Sequence, residues 1–371
     1  TAREAIKLID ELCQEYGYQC SGESFTIADK HEVWIMELIG KGKEEKGAVW
    51  VALRMPDDMI SAHANHSRIR KFPLKDKENC MYSKDVITFA RKKGYFNGKD
   101  KDFSFSEAYA PIDFGAKRYC EARVWSFFNK WAAEDMKPYM PYAMGEDVDP
   151  ETKQAIEGIP HEMPLWVKPN EKVSVLDMMA FMRDHLEGTE LDMRQDIGAG
   201  PFGCPYRPRP MGWEVDGVEY VHERATATQQ TAFSFVAQCR PNTIKEIGGI
   251  IWFGVDDAAS TVYCPMYTCM TEIPLCYREG NGSIMEYSET AAFWVYQFTL
   301  LTVAVNLIRS PYNASVIAYE KMSFYAYMSV AESIMKLLLI YALTFMTYDK
   351  LIIYGAFVFL ANLVILLSYS T

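Results

Sequence analysis

The 371-residue chain is 49% hydrophobic, 14% aromatic and 23% charged, which supplies a large core and excludes a disordered chain. Its net charge of −11 is uneven: from Val295 onward Arg309, Lys321, Lys336 and Lys350 outnumber Glu320, Glu332 and Asp349 by one, leaving −12 on residues 1–294. A surface that acidic repels phosphate backbones, so nucleic acid is set aside as a partner.

The nine cysteines are odd in number, scattered, and include no CxxC pair. Neither a zinc ribbon nor a redox dithiol is signalled, and a disulfide framework is not expected. The first residues show no basic stretch followed by an apolar one, so no signal peptide is expected.

Residues 1–17 predict an amphipathic helix. Thr1 and Glu4 have capping-box spacing, Ile6, Ile9, Leu12, Cys13 and Tyr16 mark one face, and Gly17 is the stop. The period then changes to two: SFTIAD (24–29) and EVWIMELI (32–39) predict strands joined at Asp29–His31. KGAVWVALRM (46–55) continues the meander, and MISAHANHSRI (59–69) ends it. Helices are predicted at SKDVITFARKKG (83–94, Ser cap and Gly stop), CEARVWSFFNKW (120–131) and SVLDMMAFMRDHLEG (174–188, Ser174 and Asp177 in capping positions).

After a Pro- and Gly-rich stretch at 198–212, a second strand block begins. WEVDGVEYVHE (213–223) predicts a hairpin turning at Asp216–Gly217. TAFSFVAQ (231–238), GGIIWFGVDD (248–257) and STVYCPMY (260–267) predict further strands. Two antiparallel blocks with helices between them imply an α+β fold, sheet packed on sheet and covered by helices.

The end of the chain differs. Leu351–Tyr369 is nineteen residues without a charge; as a helix it spans about 28 Å, close to a hydrocarbon core. Tyr325–Met346 is nearly as apolar, and Glu332 and Lys336, four apart, are placed to neutralise each other. Thr347–Lys350 is short enough for a helical hairpin. The expectation is a soluble segment over 1–294 followed by a transmembrane-like helical segment over 295–371, with core helices of a soluble domain as the alternative.

Several strings resemble, in order, the secernin-like dipeptidase family of N-terminal-nucleophile cysteine peptidases: SFTIADKHEVWIMELIGKG (24–42), KGAVWVALRMPDDMISAHANHSRI (46–69), AYAPIDFGAKRYCEARVWSFFN (108–129), GAGPFGCPYRP (198–208), ERATATQQTAFSFVAQCR (223–240) and GGIIWFGVDDAASTVY (248–263). The resemblance runs from Thr1 to about Phe293 and implies an αββα sandwich. It also implies peptide-bond hydrolysis through an acyl-enzyme on an N-terminal Cys, whose own α-amine is the base. The substrate is a dipeptide or short peptide, and no cofactor is called for. The family's Cys would lie upstream of Thr1, so a fragment lacking the nucleophile is expected. Thr1 reads as a helix cap, and Cys204 as an inert thiol.

The resemblance places Asn65, in SAHANH, as an amide donor to the tetrahedral oxyanion; a turn-forming Asn at a strand end is the alternative. Many relatives have Gln where His66 stands. His63 and His66 are three apart but lack the further ligands a zinc ion needs. Gln229, Gln230 and Ser234 line the substrate cleft or the solvent face of a strand. Asp256, with Asp257, holds a substrate amine or is a turn carboxylate. Separately, residues 298–355 resemble part of a polysaccharide (O-antigen-type) flippase, with the switch near Phe293–Phe298, which makes a membrane-transport fragment with a soluble appendage the second reading.

Overall fold

The computed structural model describes residues 1–149, 152, 154–207, 210–278, 291–319, 322–345 and 350–369. It divides into two compact units, Thr1–Met270 and Thr271–Thr371.

In the first unit, helix α1 (Ala2–Tyr16) starts at a capping box. Thr1 accepts from the Glu4 amide, and the Glu4 side chain reaches back to the Thr1 nitrogen. Strands β1 (Gly22–Ala28), β2 (Val33–Gly40) and β3 (Ala48–Arg54) form the expected antiparallel meander, with Met36 opposite Phe25 on one side and Ala52 on the other. The turn into β2 is held by the Asp29 carboxylate, which accepts from the amides of His31 and Glu32 at 2.7 and 3.0 Å.

The fourth strand of this sheet is not the expected run 59–69. That run contributes only β4 (Ile60–Ser61), which pairs with Trp166–Val167 in a separate two-stranded ladder. The sheet instead ends on β5 (Cys80–Tyr82), beside β3. Residues 62–69 leave the strand conformation, and the amides of Arg68 and Ile69 are satisfied by a buried carboxylate described below.

Both faces of the sheet are buried, which explains why β2 and β3 read as continuous apolar runs rather than alternating ones. Ala2 and Ile6 of α1 close one face over Trp34, Met36, Leu38 and Trp50. The other face carries Ile35, Val49, Val51 and Leu53. Helices α2 (Val86–Lys92) and α3 (Phe105–Tyr109) pack there with Ile69, Phe72 and Phe103. Neither cluster contains a residue from beyond Trp166, so helices and loops occupy the face where a second sheet was expected. Ser83 does not cap α2; its Oγ accepts from the Trp50 amide at 3.2 Å.

A third core surrounds helix α4 (Ala122–Trp131), built from Trp125, Phe127, Phe128, Trp131, Tyr142 and Phe181. One π-helical turn, Lys117–Glu121, leads into α4; such a bulge rotates the side chains before it relative to those after it. Helix α5 (Val175–Phe181) has the Ser174–Asp177 capping box. It stops near Phe181, seven residues before the predicted Gly stop, and Leu186 takes a positive φ of 65°.

The second strand block forms two separate sheets. Strands β7 (Gly212–Val215) and β8 (Val218–Val221) make the predicted hairpin, with φ of 51° at Asp216 and 79° at Gly217, the pair of left-handed residues a tight turn needs. Strands β9 (Phe233–Cys239), β10 (Gly249–Val255) and β11 (Cys264–Tyr267) form an antiparallel sheet in the order β11–β10–β9. (β6 is Trp166–Val167.)

The second unit contains α6 (Ala291–Ala318), α7 (Met322–Ala342) and α8 (Lys350–Tyr369), which pack on one another. Val305, Ala361, Asn362 and Ile365 are buried there. Glu332 pairs with Lys336 at 2.7 Å, as its spacing predicted, and with Arg309 at 3.1 Å. Among the described residues no helix is long and apolar enough to cross a membrane. The spanning hairpin expected at Tyr325–Met346 and Leu351–Tyr369 is therefore corrected. Three charged side chains, Arg309, Glu332 and Lys336, lie within α6 and α7. Of its connection, Thr347–Lys350, residues 347–349 lie outside the described residues.

Candidate active site

Strand β2 carries one acid in an apolar run, Glu37, and it is 1% exposed. A buried carboxylate needs donors on its lone pairs, and the segment after β4 supplies them. Glu37 accepts from the amides of Arg68 at 2.7 Å and Ile69 at 3.0 Å, and from the Ser67 hydroxyl. Burial nevertheless pushes its carboxyl above the usual range, against these three donors and the Arg68 charge. This arrangement pins residues 67–69 across the sheet and projects Asn65 just before them.

Arg68 is anchored from the other side. Its Nε donates to Glu121 at 2.7 Å, with both side chains 4% exposed, and its two terminal nitrogens donate to the carbonyls of Ala62 and Pro164, each at 2.9 Å. Glu121 belongs to the π-helical turn, so the bulge serves to bring this acid to Arg68 while α4 continues in its own register.

Asn65 is exposed. Its Oδ1 accepts from Arg123 Nη2 at 2.7 Å. A guanidinium donates only, so this bond fixes which end of the amide is oxygen and leaves Nδ2 as an outward donor. Arg123 is itself steadied by a 2.7 Å bond from Nε to the Tyr119 carbonyl. Asn65 lines a cleft of 310 Å³ together with Ser21, Ser24, Glu37, His66, Ser67 and Tyr109. A larger cavity of 660 Å³, lined by Arg54, Arg68, Arg70, Lys71 and Trp166 among others, holds none of the expected site residues. The smaller cleft has the free amide donor and is the candidate site.

The remaining expected residues lie elsewhere in the first unit. Gln229 Nε2 donates to the Arg207 carbonyl, Ser234 Oγ meets the Tyr263 hydroxyl at 3.0 Å, and Asp256 is exposed with a φ of 65° at the end of β10. Asp257 accepts from the hydroxyls of Tyr206 at 3.0 Å and Ser260 at 2.8 Å. None of these, nor Gln230, is among the residues lining the Asn65 cleft. His63 Nε2 meets Thr26 Oγ1 at 3.0 Å, and His66 Nδ1 meets the Ser67 carbonyl at 2.9 Å. Burial, then the Arg68 charge, holds His63 below its ordinary value. Among the described residues no three His, Cys, Asp or Glu side chains group as metal ligands.

The eight described cysteines are free. Burial pushes the thiols of Cys13, Cys120 and Cys239 up, and that of Cys80 to about 12, which disfavours thiolate. Sequence reasoning missed Glu37, Arg123 and Glu121. Glu37 had a visible signal, a lone acid inside VWIMELIG; the other two had none, because their partners are tens of residues away.

The family model for peptidase family C69 matches residues 1–322. The chain belongs to peptidase family C69. That match continues through Phe293–Phe298, where a switch to a flippase fragment was expected, and so corrects that reading. Among curated relatives, the chain is 25% identical over 321 residues to a "Probable dipeptidase" of Latilactobacillus sakei, covering 86% of this chain and 57% of that protein. It is 25% identical over 283 residues to a "Probable dipeptidase" of Salmonella dublin (76% and 54%). It is also 25% identical over 305 residues to "Probable dipeptidase B" of Lactococcus lactis subsp. lactis (80% and 53%). The chain thus spans about half the length of the curated relatives it matches.

Proposed function

We propose that this C69 chain is part of a cysteine-type dipeptidase and that Asn65 is its oxyanion donor. The observation that carries the reading is the Arg123–Asn65 bond, which presents Nδ2 toward a polar cleft. In the proposed reaction an N-terminal Cys thiolate adds to the scissile carbonyl after its proton passes to the α-amine. Asn65 Nδ2 donates to the oxyanion that forms. The C–N bond then breaks as the leaving amine takes that proton, and water hydrolyses the resulting thioester. Substrate contacts from Gln229, Gln230, Ser234 and Asp256 belong to the same proposal. So does an αββα sandwich, the fold that the family resemblance implies. The test is hydrolysis of unblocked dipeptides by the protein that contains this chain. Asn65→Ala should lower kcat about 100-fold or more, the usual cost of one oxyanion donor; an unchanged kcat would return Asn65 to a turn residue.

A further inference from the structure

The 660 Å³ cavity away from Asn65 carries a charge pattern unlike the sequence around it. Residues 1–294 carry a net −12, yet four of the side chains lining this cavity, Arg54, Arg68, Arg70 and Lys71, are cations and only Glu162 is an acid. It shares no lining residue with the Asn65 cleft. Its walls are tied to one another by the fold. Arg68, whose side chain is 4% exposed, donates to the Pro164 carbonyl at 2.9 Å, and the Ser61 hydroxyl donates to the Leu165 carbonyl at 2.5 Å. Residues 164–166 are thereby held against β4 and the segment that follows it. A cavity braced in this way needs little ordering when a ligand enters, and its volume suits a small organic molecule.

Three of the four cations already have carboxylate partners. Arg54 meets Asp57 at 3.0 Å and, more distantly, Glu32, which also serves Arg3; Arg68 meets Glu121 at 2.7 Å, and Arg70 meets Glu162. Lys71 is exposed and has no carboxylate partner among the described residues. One positive charge is left over, which matches one negative charge on a ligand and not two. Glu162 is itself exposed, so an arriving carboxylate can share the Arg70 guanidinium at little cost. Apart from Asn79, the other lining side chains are apolar: Leu53 and Met163 are buried, and Leu165 and Trp166 are half-buried. We propose that this cavity binds a small organic monoanion, a carboxylate carried on an apolar or aromatic body, with Lys71 as its charge partner and Trp166 against the body. A zwitterionic amino acid brings a cation that Lys71 repels, and a phosphate ester brings a second negative charge with no unpaired cation to meet it.

The test is calorimetric titration of the protein that contains this chain with N-acetylphenylalanine, its C-terminal amide and phenyl phosphate at low salt. The acid should bind about 10-fold or more tightly than the amide, the value of a hydrogen bond to a charged group. Phenyl phosphate should bind no more tightly than the acid. In Lys71→Gln, with folding checked by circular dichroism, acid and amide should come within about threefold of each other, and Lys71→Arg should restore the preference. Asn65→Ala should leave the preference intact, because the two cavities share no lining residue. Equal binding of acid and amide, binding of neither, a preference that survives Lys71→Gln, or one that is lost in Asn65→Ala overturns the site. Tighter binding of phenyl phosphate overturns its assignment to a monoanion. The comparison of acid with amide needs no variant, so a variant that fails to fold leaves the proposal open to refutation.

Discussion

Replacing Glu37 by Gln keeps the side chain's shape but places an amine where the structure has an acceptor. Glu37 offers two oxygens to three donors: one takes the Arg68 amide at 2.7 Å, the other the Ile69 amide at 3.0 Å and the Ser67 hydroxyl. Glutamine has one oxygen, so whichever way its amide turns, an NH2 faces a backbone N–H. The Ser67 hydroxyl can rotate to accept; a backbone N–H cannot. The substitution therefore strands one buried amide, which costs about 1–3 kcal/mol. Glu37→Ala strands both amides and should cost more. Urea unfolding followed by far-UV circular dichroism measures the change, with the slope checked for constancy. A loss below about 0.5 kcal/mol for Glu37→Gln would refute the claim that this carboxylate holds residues 67–69. Since the same segment positions Asn65, the variant should also lose dipeptide binding under conditions where it remains folded.

Breaking the buried Arg68–Glu121 pair with Glu121→Gln should destabilise the first unit by about 3–5 kcal/mol, while Arg68→Met with Glu121→Leu should recover most of that in the same unfolding assay. Burial holds Asp184 above the ordinary carboxylate range, so it keeps its proton in the folded chain at pH values where the unfolded chain has released it. Its contribution is therefore present below the ordinary carboxylate value and lost as pH rises through the raised folded value; unfolding midpoints across that window measure it, with the Ser126 hydroxyl at 2.9 Å opposing the effect. Ser174→Ala removes a capping box and should cost about 1 kcal/mol. Gly145→Ala should cost about 1–2 kcal/mol or more by thermal unfolding, because φ is 75° and an added Cβ would lie 2.6 Å from the Phe114 ring.

Local signals along the chain specified what depends on neighbours in sequence. The Thr1–Glu4 and Ser174–Asp177 caps, the Asp29 turn, the Asp216–Gly217 hairpin and the strands 33–40, 48–54 and 249–255 all follow from spacing within a few residues. Asn65 stood out only through resemblance, and its exposed place beside a cleft was not legible from SAHANH alone. The apolar tail led to a spanning hairpin, and among the described residues no helix is long and apolar enough to cross a membrane.

What the sequence by itself determined is thus most of the element list, the dipeptidase-like character of the chain and the candidate Asn65. Only the tertiary structure decided that Cys80–Tyr82, not 59–69, completes the first sheet, and that Arg123 orients Asn65. It also decided that Glu37 and Glu121 brace the segment between them. The physical reason is range: capping and turn formation act over three or four residues, whereas a buried charge must find its partner wherever the chain returns. Arg123 lies 58 positions from Asn65, and Glu121 lies 53 from Arg68.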